Sequence, residues 1–248
     1  MNPRSRLLNE WVAARTQSFD ASHDVHHAMA VWEWCKVIGR STLPPGRWDR
    51  WSWVLECSAK LHDVWDHKYR GRPGVVTRKQ RNDFVRDQLG LSPADAHMVL
   101  LICDNVSWSR QVRGERDYHF RKLSWLDRML CRHDVWEEWR VLLDIVADAD
   151  RLEALGETGL LRCRTYQKAR DPGLNDDSLD WAVVKHAEEK LLLLYPRYFA
   201  TRKGREEAKP LHKFLHDWVQ RKKIEWEGQK KVIPADAAPV PTACAAST

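Results

Sequence analysis

Three segments of the chain carry apolar residues at helical spacing, and each of these apolar stripes includes a histidine or an aspartate. In the segment 23–38 the stripe consists of His27, Val31, Trp34, Cys35 and Ile38. A helix with such a stripe buries it against other elements, so His27 is predicted to point inward. His26 falls on a mixed face instead. The chain must therefore fold with ionisable side chains in its interior.

The other two stripes repeat this pattern. The stripe in the segment 48–67 ends on a histidine, and it consists of Trp51, Leu55, Ala59 and His62, with Asp63 carried inward beside it. The third stripe consists of Trp139, Leu142, Leu143, Val146, Ala149 and Asp150. This spacing leaves Asp148 off that stripe. Burying an unpaired carboxylate is costly, so Asp150 is predicted to face a cation.

Two histidines and two aspartates on inward faces suggest one shared ion. A single buried histidine is more often a hydrogen-bonded core residue than a metal ligand. Four such groups together are hard to satisfy without a metal, because each acid would otherwise need its own buried donor. A donor set of His27, His62, Asp63 and Asp150 suits a first-row divalent ion that keeps positions for water. Such a water can act as a hydrolytic nucleophile.

The motifs around these residues resemble the HD superfamily of metal-dependent phosphohydrolases, and specifically its small stand-alone branch. The similar segments are SHDVHHAMAV at 22–31, AKLHDVWDHKY at 59–69, ADADRLEALG at 147–156 and HAEEKL at 186–191. They occur in the order that the family shows, and the resemblance spans roughly residues 10 to 228. It implies an all-α fold, a single HD-domain helical bundle with additional C-terminal helices.

The resemblance also implies roles for individual residues. It implies that His27, His62, Asp63 and Asp150 hold the metal, because related enzymes take their last ligand from an Ala-Asp pair. Asp148 is then expected to orient a neighbouring group. The catalytic set is His23, Asp24, Asp63 and Asp66. His23 matches an acid histidine of related phosphodiesterases and would protonate the leaving oxygen, with Asp24 or Asp66 orienting a partner. The alternative for His23 is a capping or ligand-supporting role.

Two departures from the branch affect these expectations. Ala30 stands where an arginine usually precedes the valine that closes the first motif, which removes one phosphate contact. The middle motif, usually His-Ser-Phe-Ser, is Val-Ser-Trp-Ser at 106–109. Because this motif lacks its histidine, we expect one divalent transition metal ion, either Mn, Fe, Ni, Co or Zn, and not two.

The predicted substrate is a phosphorylated small molecule, either a nucleotide or a related small phosphate. Lys68 and Arg162 are the candidates for binding its phosphate, although both are equally compatible with surface positions. Trp65, close to the His-Asp pair, is a candidate for stacking on a base, with core packing as the alternative.

Two other functions remain as alternatives. The first is a metal-stabilised binding protein with weak catalysis, which would hold nucleic acid or a partner with its basic C-terminal face. The net charge of +6 and the altered motifs favour it. The second is an oxygenase with paired iron, against which the absent middle histidine argues.

Composition defines the remaining expectations. The chain of 248 residues is expected to form one domain over 1–230, with a disordered Ala/Pro-rich tail at 231–248. It has no apolar run of about 20 residues and no signal-like leader, so we expect a cytoplasmic protein without a membrane segment. The six cysteines are too scattered for a disulfide framework or a zinc ribbon. Helices are predicted at 4–17, 23–39, 48–66, 77–89, 93–107, 123–131, 134–163, 178–194 and 206–228.

Overall fold

The predicted all-α architecture is confirmed in the computed structural model, which describes residues 2–20, 23–65, 75–108, 112 and 133–232. These ranges contain no β-strand. Their long helices, in chain order, are α1 (Pro3–Thr16), α2 (Val25–Thr42), α3 (Arg47–Leu61), α4 (Arg78–Asp87), α5 (Pro93–Asn105), α6 (His133–Glu153), α7 (Gly156–Arg170), α8 (Asp176–Glu189) and α9 (Arg202–Val232). A short 3₁₀ helix, Leu191–Leu193, follows α8. None of the helices in these ranges combines the length and apolarity needed to cross a membrane.

Local sequence explains where several helices begin. Asp24 caps α2, and its carboxylate accepts a hydrogen bond from the His27 N–H at 3.0 Å. Ser92 caps α5 and is followed by Pro93, a residue that suits the first helical position. Thr77 and Gln80 form a reciprocal capping box at the start of α4. These caps satisfy backbone N–H groups that the helices themselves leave unpaired.

The helices surround one apolar core, with α2 at its centre between α3 and α6. The predicted stripes all face this core, since Val31, Leu55 and Val146 are fully buried. Helices α3 and α5 run in the same direction, because Arg50 bonds Asp95 near their starts and the Cys103 thiol contacts the Ser58 carbonyl near their ends. The helices α7, α8 and α9 pack on one another, and α9 also contacts α2 and α6.

Two predicted helix boundaries are wrong in ways that affect the site. The predicted helix 48–66 ends at Leu61, so His62 and Asp63 lie in the turn that follows. The predicted helix 134–163 is two helices, separated between Glu153 and Gly156. Gly156 has a φ of +66°, a backbone conformation that favours glycine and that ends the continuous helix.

The remaining differences lie at the C-terminal side. The predicted helix 178–194 ends at Glu189 and is followed by the 3₁₀ turn, while α9 is longer than predicted and includes Pro210. Residues 231 and 232 are the last two of α9, although the predicted tail began at 231. The predicted helix 123–131 and the tail residues 233–248 lie outside the described residues. The cysteines in the described ranges, Cys35, Cys57, Cys103 and Cys163, are free and buried.

Candidate metal centre

Four predicted ligands meet where α2, α3 and α6 come together. His27 lies in the first turn of α2, His62 and Asp63 follow the end of α3, and Asp150 lies in the last turn of α6. His27 Nε2 is 3.4 Å from Asp63 Oδ2 and 3.4 Å from Asp150 Oδ1. His62 Nε2 is 3.1 Å from the same Asp63 atom and 3.5 Å from the same Asp150 atom. Two nitrogens and two oxygens thus surround one point.

The spacing of these atoms fits a divalent transition metal ion. Nitrogen and oxygen ligands bind such ions at about 2.0–2.2 Å, which places neighbouring ligand atoms roughly 3.0–3.5 Å apart. Every nitrogen-to-oxygen distance given above lies in that range. Donor atoms of His27, His62 and Asp150 also all lie within 4.8 Å of one another. A mixed set of imidazoles and carboxylates suits Mn, Fe, Co, Ni or Zn.

The histidine nitrogens support the same interpretation. His62 Nδ1 lies 2.8 Å from the Ala59 carbonyl, so this nitrogen carries the proton and donates to that oxygen. In the neutral ring the lone pair is then on Nε2, which faces the carboxylates. His27 Nε2 and His62 Nε2 are both buried, and neither has a hydrogen-bond partner among the described residues. A metal ion would satisfy both atoms, and a backbone carbonyl behind the ring is the usual support of a ligand histidine.

The electrostatics of the cluster also favour a cation at this point. Burial alone would lower the pKa of His62, but the carboxylates of Asp63 and Asp150 outweigh burial and raise that pKa well above its usual value. Burial alone would raise the pKa of each carboxyl, but the imidazoles of His62 and His27 hold both well below their usual range. The two carboxylates therefore stay ionised and attract positive charge, which a metal can supply.

The two acids give the centre a side that solvent reaches. The Asp63 and Asp150 side chains keep 23% and 29% of their surface exposed, whereas only 1% of the His27 side chain is exposed. The histidines therefore close the inner side of the centre and the carboxylates line its outer side.

His23 lies beside the centre, one helical turn before His27. The two ring centroids are 6.3 Å apart, and His23 Nδ1 is 3.6 Å from Asp20 Oδ1. Asp20 was missed by sequence reasoning, because it precedes the helix and belongs to no periodic stripe. Asp24, predicted to orient a catalytic group, caps α2 and so holds the His27 backbone. Asp66, the other residue with that predicted role, lies outside the described residues.

The two predicted phosphate-binding cations have different outcomes. Lys68 lies outside the described residues. Arg162, on α7, reaches back to α6 and donates from Nη1 to the Glu153 carbonyl at 2.9 Å. Glu153 lies three residues after Asp150, so Arg162 is anchored to the same turn of α6. Its role toward a substrate stays a prediction.

Glu153 itself is a residue that sequence reasoning missed. Its side chain is almost fully buried, and Oε1 accepts a hydrogen bond from Trp34 Nε1 at 2.9 Å. Trp34 belongs to the same α2 stripe as His27, and Glu153 follows Asp150 by one helical turn. The signal was present in this shared spacing. The bond ties α2 to α6 next to the two ligands that these helices carry.

Asp148 lies off the stripe that carries Asp150, and yet it is completely buried. Its carboxylate accepts hydrogen bonds from the Ala200 N–H at 3.0 Å, and from the Thr201 N–H and hydroxyl at 2.7 Å each. These donors belong to the segment that leads into α9. Helix α6 therefore packs against α2 on one side and against the start of α9 on another. Burial raises the pKa of Asp148, against these hydrogen bonds. Asp148 therefore anchors α9 and faces away from the predicted ligands.

The arrangement of the helices is similar to that of solved structures with an HD-like fold. No protein-family model matches the sequence. The solved structure of an HD-superfamily hydrolase from Bacillus thuringiensis is similar, with a TM-score of 0.59 and 21% identity, over 91% of this chain and 97% of that one.

The chain is also similar to a particular protein, YpgQ of Bacillus subtilis, which is described as uncharacterized. The two are 25% identical over 221 residues, which cover 88% of this chain and 91% of YpgQ. The crystal structure of YpgQ in complex with ADP has a TM-score of 0.62 at 22% identity, and the match covers 93% of this chain and 98% of that one.

Proposed function

We propose that this protein is a metal-dependent phosphohydrolase that cleaves a phosphoester of a nucleotide or related small phosphate. The observation that carries the proposal is the convergence of His27 Nε2, His62 Nε2, Asp63 Oδ2 and Asp150 Oδ1 at 3.1–3.5 Å. Side chains from α2, from the turn after α3 and from α6 meet there, and the histidine Nε2 atoms face ionised carboxylates. These four residues would hold one divalent transition metal ion.

The chain's own residues provide the rest of the site. A bound divalent ion lowers the pKa of a coordinated water toward neutrality and polarises a phosphoryl oxygen. His62 is kept in one tautomer by the Ala59 carbonyl, and Trp34 with Glu153 fixes α2 against α6. Because the carboxylates of Asp63 and Asp150 are partly exposed, a phosphate group can enter beside them.

His23 is the candidate general acid of this reaction. It lies beside the centre without being one of the four converging ligands, and Asp20 is close to its Nδ1. In the proposed reaction Asp20 orients the ring, and His23 donates the proton of its Nε2 to the leaving oxygen. A positioned imidazole is the most common proton donor in reactions of this kind.

A nucleotide is the favoured substrate class. YpgQ, which has a similar fold over almost its whole length, has been crystallised with ADP. A nucleotide phosphate would need cationic partners near the metal, and Arg162 and Lys68 remain the candidates. The anchoring of Arg162 to the turn after Asp150 supports its candidacy.

The ion pairs on the basic C-terminal face argue against the alternative of a nucleic-acid-binding protein. Five of the late cations form ion pairs on or beside α9, namely Arg202 with Glu206, Lys203 with Glu207, Lys213 with Asp217, Lys222 with Glu225 and Asp180, and Lys223 with Glu188. Acids placed among the cations reduce the local positive potential that phosphate backbones need. The net positive charge is therefore partly offset where it is most concentrated.

The proposal can be tested with protein purified without chelators. We expect about one transition metal per chain, and release of phosphate from one or more nucleoside mono-, di- or triphosphates or cyclic nucleotides. Asp63→Ala should lose both the metal and the activity, whereas Asp49→Ala, an exposed acid on α3, should keep both. The proposal is wrong if the wild-type protein binds none of Mn, Fe, Co, Ni and Zn, or binds metal and hydrolyses none of these substrates.

A further inference from the structure

A buried arginine lies next to the turn that carries His62 and Asp63. Arg81, on α4, is only 1% exposed. Its guanidinium donates to Asp104 Oδ1 at 2.9 Å and to Asn82 Oδ1 at 3.1 and 3.2 Å. A buried ion pair adds little net stability compared with apolar residues of similar volume, because both charges must leave water. A buried pair at this place therefore suggests a positional role.

Trp65 connects this ion pair to the predicted ligands. It follows Asp63 by two residues, and the guanidinium carbons of Arg78 and Arg81 lie 5.6 and 5.5 Å from its ring centroid. Asp104 also accepts a hydrogen bond from Arg78, at its second carboxylate oxygen. A guanidinium at this distance is attracted by the indole ring. One carboxylate and two guanidiniums therefore hold the indole in place.

The turn from His62 to Trp65 needs such support, because helix α3 has already ended at Leu61. The Val64 N–H donates to the Leu61 carbonyl at 3.4 Å, a long bond for a backbone pair. His62, with a φ of −61° and a ψ of −34°, still has helical backbone angles, and its ring bonds the Ala59 carbonyl of α3. The residues that follow, from Asp63 to Trp65, lie beyond the helix, and Trp65 is at the far end of this turn.

The ion pair and the ligands also share a neighbour. Burial raises the pKa of the Cys103 thiol to about 11, and the charges of Arg81, Asp104, His62 and Asp63 all act on this group. Cys103 lies on α5 with its sulfur 3.7 Å from the Ser58 carbonyl of α3. Helix α5, which also carries Asp104, thus packs against α3 shortly before the turn that carries His62 and Asp63.

We propose that Arg81 is a positioning residue for the metal centre. By holding Asp104 and Trp65 together, it fixes the turn 62–65 so that His62 Nε2 and Asp63 Oδ2 face the ion. The inference rests on the proposed function, since it assigns Arg81 a part in metal binding. Partners behind a ligand commonly change metal affinity by about 10- to 100-fold when they are removed.

The experiment is a titration of metal-free protein with Mn²⁺, in which electron paramagnetic resonance measures the free ion. Arg81→Met is expected to weaken Mn²⁺ binding by about tenfold or more, with an unchanged helical circular dichroism spectrum. Arg50→Met is the matched control. Arg50 also joins an aspartate of α5 and a tryptophan, since it bonds Asp95 and lies 4.1 Å from the Trp51 ring centroid, but at the far end of α3. Its loss should leave the affinity unchanged.

A merely structural role would give a different result. It would lower the unfolding temperature of metal-free Arg81→Met and leave the Mn²⁺ affinity of the folded protein as in the wild type, and that outcome would overturn the inference.

If Arg81→Met does not fold, Trp65→Ala replaces it, because this change leaves the pair of Arg81 and Asp104 intact. The same weakening is expected, and wild-type affinity in Trp65→Ala would overturn the inference. A wild-type protein that binds no Mn²⁺, Co²⁺, Ni²⁺, Fe²⁺ or Zn²⁺ would overturn the proposed function itself.

Discussion

Asp148 and Asp150 lie two residues apart near the end of α6, and their carboxylates face different parts of the fold. Asp150 Oδ1 is 3.4 Å from His27 Nε2, whereas both oxygens of Asp148 accept hydrogen bonds from residues 200 and 201. Two residues correspond to about 200° around a helix, so neighbouring acids of one motif reach opposite sides. One acid serves the candidate metal centre and the other holds the start of α9.

The two acids should respond differently to the same substitution. Asp150→Asn replaces an ionised donor by a neutral one, so we expect loss of most bound metal with the metal-free fold intact. Asp148→Asn should keep the metal and reduce the free energy of unfolding by about 2–3 kcal/mol, because a buried charged acceptor is lost beside three donors. Metal analysis and urea unfolding in chelator measure the two effects. An equal loss of metal in both variants would contradict this separation.

His23→Ala should separate catalysis from metal binding. If His23 is the general acid, kcat falls by about 100-fold or more while the metal content stays near that of the wild type. His26→Ala is the matched control, since His26 is exposed on the same turn of α2 and should have no effect. Loss of metal in His23→Ala would place His23 among the ligands instead.

Metal binding should stabilise the protein more at higher pH. In the metal-free protein the pKa of His62 is higher in the folded state than in the unfolded state, so protonated His62 stabilises the fold. This stabilisation is complete below about pH 6.5, the usual pKa of histidine in an unfolded chain. It is lost as the pH rises through the pKa of the folded state. The lowered pKa of Asp63 and Asp150 gives a contribution that is present above about pH 4, and that is lost as pH falls through their folded pKa.

A metal binds only the unprotonated ring of His62, so the affinity of the protein for the metal rises with pH. This happens over the pH range in which the metal-free protein loses the stabilisation by protonated His62. The increase in unfolding temperature on adding Mn²⁺ should therefore be larger at about pH 8 than at about pH 6. Thermal unfolding in chelator and in excess Mn²⁺ at both pH values gives the comparison. A larger increase at the lower pH would contradict the assigned ligands.

Gly159→Ala should destabilise the fold strongly. A Cβ at this position would lie 2.3 Å from both the carbonyl carbon and the carbonyl oxygen of Ala154, and a backbone group cannot move aside like a side chain. We expect a loss of about 2–3 kcal/mol in the free energy of unfolding. The control is Gly228→Ala, since nothing lies within 4 Å of its added Cβ. That substitution should stabilise α9 by up to about 1 kcal/mol. Equal stabilities of the two variants in urea would contradict the clash.

The sequence alone determined the helical class and which faces are buried. Spacing at 3.6 residues placed His27 inward and His26 on a mixed face, because this periodicity reflects how a single helix divides its surface between core and solvent. The same spacing predicted that Asp150 lies among buried neighbours. Helix ends were less certain, since α3 stops before His62 and the break before Gly156 depends on one glycine with a positive φ.

Only the tertiary structure decided which side chains meet. Residues 27, 62, 63 and 150 converge because α2 packs between α3 and α6, and no local pattern records the angle at which helices cross. For the same reason the spacing gave no sign that the segment before α9 buries Asp148, and it did not indicate Asp20 or Arg81. Periodicity reports the burial of one helix, whereas a site depends on contacts between residues that are distant in sequence.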